Sequence, residues 1–114
     1  MKKVQHYING KWIEGEGAGI PILDSVTGVH FTNVTADGLD IPSILQYGRD
    51  KGETLRKMTF QERGLMLKKL AMYLTKRKDA FYELSYRTGA TKIDSWIDIE
   101  GGFGNLFANA SLRK

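Results

Sequence analysis

The stretch Tyr7-Ile8-Asn9-Gly10-Lys11-Trp12 decides how the first part of the chain folds. Its Asn9-Gly10 step accepts the positive φ angles of a type I′ turn, and the residues on either side favour strands. A β-hairpin is therefore predicted here. Further strands are predicted at 20–23 and 29–34, where apolar residues follow a glycine-rich connector and a turn. Residues 1–35 are thus expected to form a β-rich hairpin or meander.

Helical periodicity begins at Asp40. Asp40 suits an N-cap, and Pro42 fits the first turn, where no backbone donor is missed. The next helix has a clear start, because Thr59 and Glu62 have the spacing of a capping box. A charged stretch at 76–79 predicts a kink or a break in that helix.

A third helix is predicted at about 92–110. Three glycines interrupt it: Gly101, Gly102 and Gly104. Each costs about 1 kcal/mol relative to alanine in a helix interior, so the cluster needs a reason, either close packing against another backbone or room for a ligand. Three aromatic residues at helical spacing are expected in the core: Trp96, Phe103 and Phe107. Altogether we predict an α+β chain with about three helices over 40–114.

Charge and composition limit the classes of function. The 114 residues carry a net charge of +4 and contain no cysteine. No run of about 18 apolar residues and no apolar leader is present, so a cytoplasmic protein with no membrane partner is expected. Twelve of the 17 Lys and Arg residues fall within residues 41–92. This basic block leaves a small module that binds nucleic acid or protein as the alternative, although the cations are spread around polar faces and no nucleic-acid motif is present.

Few side chains have the spacing of a catalytic or metal-binding site. Three carboxylates are close in the sequence: Asp94, Asp98 and Glu100. No histidine stands at a spacing that would complete a metal site, so a solvated polar face is expected there. His6 and His30 have no acidic or nucleophilic partner in the sequence around them. We therefore predict no catalytic, cofactor-binding or metal-ligating residue within this chain.

The order of these elements and several motifs resemble the N-terminal quarter of the aldehyde dehydrogenase superfamily. Residues 7–12 are similar to its opening hairpin, and Asp24-Ser25-Val26-Thr27-Gly28 is similar to its Asn-Pro-Ala-Thr-Gly turn. Residues 59–63 resemble the entry to its long helix. A narrower resemblance, carried by 87–91 and 94–102, is to the branch that degrades phenylacetate, whose members fuse an aldehyde dehydrogenase to an oxepin-CoA hydrolase.

The resemblance implies a fragment of an α/β aldehyde dehydrogenase fold. The complete enzyme would oxidise a CoA-linked semialdehyde with NADP or NAD, through a cysteine thiolate. Because no position here matches the family's reacting groups, the chain alone is expected to be inactive, to pack on the remainder of the dehydrogenase and to form a homo-oligomer. The family helix at this position contributes a side chain to the substrate tunnel, which makes Gly101 and Gly102 the tunnel candidates. Close helix packing is the alternative explanation for these glycines.

Overall fold

The computed structural model describes residues 3–114. In chain order these residues form β1 (His6–Ile8), β2 (Lys11–Ile13), β3 (Ile20–Leu23), β4 (His30–Val34), α1 (Ile41–Lys51), α2 (Glu53–Lys57), α3 (Phe60–Thr75), α4 (Lys78–Tyr86) and α5 (Lys92–Ser111). The chain divides into two compact units, one up to Arg56 and one from Lys57 onward. The predicted α+β class is confirmed. Within the described part, no helix is both long enough and apolar enough to cross a membrane.

The first predicted hairpin is confirmed. β1 pairs with β2 in an antiparallel register, and the turn between them places Asn9 at φ +53° and Gly10 at φ +79°. These are the left-handed conformations that a type I′ turn requires at both central residues. The sequence step that predicted the turn therefore also supplies its backbone geometry.

Of the two predicted arrangements, hairpin or meander, the structure has hairpins. The strands form two separate antiparallel pairs, β1 with β2 and β3 with β4. The connector between β2 and β3 turns the chain at Gly17 and Gly19, which have φ angles of +73° and +76°, so β3 does not continue beside β2. The Val4 N–H donates to the Asn33 carbonyl at 2.8 Å, and this bond links the segment before β1 to β4.

Asp24 organises the turn between β3 and β4. Its Oδ1 accepts hydrogen bonds from the N–H groups of Val26 at 2.8 Å and Thr27 at 3.0 Å. The Gly28 N–H donates to the Asp24 carbonyl at 2.8 Å, and Gly28 itself is left-handed at φ +72°. One side chain thus satisfies two backbone donors that the turn leaves without a strand partner.

The predicted helix starts are confirmed. At the start of α1, Asp40 Oδ1 accepts from the Ser43 N–H at 3.2 Å. At the start of α3, the Thr59 hydroxyl accepts from the Glu62 N–H at 3.1 Å, and the Glu62 carboxylate accepts from the Thr59 N–H at 2.7 Å. These side chains satisfy amide groups that have no carbonyl partner in the first helical turn.

The described residues form five helices rather than about three. α2 follows α1 after Gly52, whose N–H still donates to the Gly48 carbonyl at 2.9 Å. The long helix breaks into α3 and α4 at the charged stretch, as expected, because the Arg77 N–H bonds to the Leu74 carbonyl three residues back at 2.9 Å. α5 covers the predicted range and continues through all three of its glycines.

Small residues form the buried contacts of the second unit, in which α5 packs against both α3 and α4. Ala71 on α3 and Ala110 on α5 are buried. A Cβ added to Gly64 would lie 3.1 Å from the Ala110 carbonyl oxygen, so the two backbones approach closely there. Between α4 and α5, the hydroxyl of buried Ser95 lies 2.8 Å from the hydroxyl of Ser85.

The aromatic side chains expected in the core are only partly there. Phe103 is half-buried and meets Phe81 of α4 edge to face at a centroid distance of 5.7 Å. Trp96 is 57% exposed and Phe107 is 37% exposed, so the core prediction is wrong for these two. The helical period finds the apolar face, but α3 and α4 cover only part of it.

Candidate functional site

A groove of about 680 Å³ runs between α4 and α5. Six of its lining residues come from the facing sides of the two helices: Lys78, Tyr82, Tyr86, Ile93, Trp96 and Glu100. On each helix these residues recur three or four positions apart, which places them on one face. The groove therefore combines an aromatic and aliphatic floor with ionisable groups.

Glu100 is the best-connected polar group of this groove. Its Oε1 accepts from the Lys78 ammonium at 3.2 Å, and its Oε2 accepts from the Tyr82 hydroxyl at 2.5 Å. Both carboxylate oxygens are thus engaged by α4, and the side chain is half-buried. The expectation of a solvated polar face is wrong for Glu100, because α4 supplies donors that local sequence spacing does not reveal.

The neighbouring carboxylates have other surroundings. Asp94 lies at the start of α5, where its side chain accepts from the Thr91 hydroxyl at 2.9 Å and its N–H donates to the same hydroxyl at 3.1 Å. Asp98 is exposed. Across residues 3–114, no group of three or more His, Asp or Glu side chains has an arrangement that could hold a metal ion.

Burial and hydrogen bonding in the groove move the pKa values of Tyr82 and Glu100 away from neutrality. Partial burial of the Tyr82 phenol and its hydrogen bond to the Glu100 carboxylate raise the pKa of Tyr82 to about 12. The hydrogen bonds from Tyr82 and Lys78 lower the pKa of Glu100. At neutral pH the phenol keeps its proton and the carboxylate stays ionised. Neither group therefore has a pKa suited to general acid–base catalysis near pH 7.

Gly101 lies beside this groove. It lines a shallow pocket of about 270 Å³ together with Trp96, Ile97 and Glu100. Apart from its own turn of helix, no atom lies within 4 Å of a Cβ built on Gly101 or on Gly102. No other element of the described chain therefore packs against these glycines, and their role as tunnel residues stays a prediction.

Both histidines make short polar contacts in the first unit. His6 Nε2 donates to the Thr35 carbonyl oxygen at 2.7 Å. His30 Nε2 lies at hydrogen-bond distance from the side-chain oxygen of Asn33. The first contact joins β1 to the residue after β4, and the second lies within β4. Neither contact places an imidazole beside an acidic or nucleophilic group.

Comparison with known proteins finds a relative that is named as a dehydrogenase. No protein-family model matches the chain. Over 114 residues the chain is 35% identical to a 3,4-dehydroadipyl-CoA semialdehyde dehydrogenase of Aromatoleum evansii. The alignment takes in 98% of this chain and 22% of the relative, so the chain spans about a fifth of the relative's length. The similarity supports the aldehyde dehydrogenase-type resemblance of the sequence motifs.

Proposed function

We propose that the chain is part of an NAD(P)-dependent dehydrogenase of the aldehyde dehydrogenase family that oxidises a CoA-linked semialdehyde. The observation that carries this proposal is the 35% identity with the Aromatoleum evansii enzyme across both units. The motifs at 87–91 and 94–102 further favour a place in phenylacetate catabolism, in the cytoplasm, for the complete enzyme. The 114-residue chain by itself is expected to be inactive.

We propose that this chain has a structural role in the complete enzyme. Since the sequence contains no cysteine, a thiolate nucleophile would come from the rest of the enzyme. The α4–α5 groove does not fit the phosphates of a nicotinamide dinucleotide, because three carboxylates and only two lysines line it. We therefore assign cofactor binding to the rest of the enzyme, and we propose that the complete protein forms a homo-oligomer.

Gly101 is the tunnel position that we propose for this segment. No atom beyond its own turn of helix lies within 4 Å of a Cβ built there, which supports the idea that a missing side chain leaves room for a bulky substrate. In the complete enzyme, Gly101→Leu should raise KM for a CoA-linked semialdehyde and leave KM for a short aldehyde unchanged. Gly48→Leu is the matched control, because Gly48 also lies in a helix with open space around it. An equal effect of Gly101→Leu on both substrates would contradict the tunnel role.

A chimera tests the proposed function. The matching segment of the Aromatoleum evansii enzyme is replaced by this chain, and NAD(P) reduction is followed with the relative's CoA-linked semialdehyde. Activity is expected in the chimera. The 114-residue chain alone and the relative without its segment are expected to be inactive. NAD(P) reduction by the chain alone, or a soluble and folded chimera with no activity, would overturn the proposal.

A further inference from the structure

The α4–α5 groove has a chemistry of its own. We infer that it docks a polypeptide segment of the complete enzyme, and that this segment presents an apolar side chain next to an arginine or a lysine. The inference rests on the proposed function, because the segment is sought in the four-fifths of the related enzyme that this chain does not match.

The apolar part of the groove is wide and open. Ile93 is 71% exposed, and Tyr86 is 40% exposed. Trp96 also lines the groove and is more than half exposed. A volume of about 680 Å³ is enough for more than one large side chain. Covering the indole and the isoleucine would remove from water a surface of the kind that anchors protein interfaces.

The charges that line the groove favour a partner of positive charge. Lys78 forms an ion pair with Glu100. The groove is also lined by two further carboxylates, Asp79 and Glu83, and by one further lysine, Lys92. The open part is thus net negative. A cationic side chain next to the apolar anchor complements this charge, whereas the phosphates of a CoA or a dinucleotide would be repelled. A basic peptide segment is therefore favoured over an anionic small molecule.

Hydroxyl-radical footprinting with mass spectrometry measures whether the groove is covered. Oxidation of Trp96 is compared in the isolated chain and in the chimera described above. In the chimera it should fall about fivefold, because docking would take a side chain that is 57% exposed into the range of a buried one. Zero-length cross-linking should join the Glu83 carboxylate to a lysine outside this chain if the cationic residue is a lysine.

Variants of Glu83 test the stated charge of the partner. In the chimera, Glu83→Lys should restore Trp96 oxidation to at least half of its value in the isolated chain, and Glu83→Gln should restore less. Lys69→Glu is the matched control on the exposed surface of α3 and should leave Trp96 protected. If the chimera is insoluble, the same footprint is taken on a mixture of this chain with the relative lacking its segment.

The outcomes separate this inference from the proposed function. An active chimera in which Trp96 stays as reactive as in the isolated chain would overturn the docking groove and leave the proposed function intact. Protection that is insensitive to Glu83→Lys would overturn the basic partner. A soluble chimera that is inactive but shows Glu83-dependent protection would support docking and overturn the proposed function. A mixture without protection would overturn docking.

Discussion

Replacing Gly64 by alanine is expected to destabilise the crossing of α3 and α5. A Cβ at this position would lie 2.7 Å from the Arg113 Cβ and 3.1 Å from the Ala110 carbonyl oxygen. Unstrained carbon–carbon contacts are about 3.5–4.0 Å, so the end of α5 has to move by several tenths of an ångström or more. Overpacking of this kind costs about 1–3 kcal/mol.

The helix propensity of alanine acts in the opposite direction, and a matched control removes it. Alanine is favoured over glycine by about 1 kcal/mol in a helix interior. Gly104 also lies inside a helix, but a Cβ there meets nothing within 4 Å. Gly104→Ala should therefore gain up to about 1 kcal/mol of stability. The propensity gain is common to both variants, so their difference isolates the steric cost at Gly64, which we expect to be about 1–3 kcal/mol.

Urea unfolding followed by far-UV circular dichroism measures both variants against the unmodified chain. Thermal unfolding gives a second readout, in which each 1 kcal/mol corresponds to roughly 4–8 °C for a domain of 60–100 residues. Gly64→Ala should unfold at a lower urea concentration and a lower temperature than Gly104→Ala. Equal stability of the two variants would show that α3 and α5 have room at their crossing and would refute the close-packing argument.

Three further predictions concern the groove, a turn and the basic block. The pKa of Glu100 is lowered in the folded chain, so its ionised carboxylate stabilises the fold above the pKa of a free carboxyl, and this stabilisation is lost as pH falls through the folded value. Glu100→Gln should therefore reduce the fall in the urea midpoint of unfolding between about pH 6 and pH 3. Asp24→Ala should cost about 1–2 kcal/mol in urea unfolding, because two N–H groups lose their acceptor, and Asp24→Asn should cost less. In fluorescence anisotropy with a DNA duplex at 0.15 M salt, the chain should show a Kd weaker than about 1 μM; tighter binding with a steep salt dependence would favour the nucleic-acid alternative.

Features that depend on neighbouring residues could be predicted from the sequence. The Asn9-Gly10 turn, the Asp40 N-cap and the Thr59–Glu62 capping box each involve groups no more than three residues apart. Their chemistry is complete within one turn of chain, so the sequence contains all that is needed to predict them. The charged stretch that ends α3 belongs to the same class.

Features that depend on how elements pack could not be predicted. The partners of Glu100 are 18 and 22 residues away, on another helix, so local spacing indicates a carboxylate but not its donors. The hydrogen bond between the hydroxyls of Ser85 and Ser95 could not be predicted for the same reason, because the two residues lie on different helices. Periodicity correctly marks Trp96 as part of an apolar face, yet it does not tell which element covers that face. In the second unit, α3 and α4 leave Trp96 largely uncovered.

In the second unit, small side chains are buried and several large apolar side chains are exposed. Its buried side chains are small, with Ala71, Ala110 and Ser95 at the helix contacts. Close helix approach at such residues stabilises the helices against one another but leaves large apolar groups outside. Trp96 and Ile97 are both more than half exposed on α5. Several large apolar side chains of α5 therefore stay exposed, among them Ile93 and the pair just named.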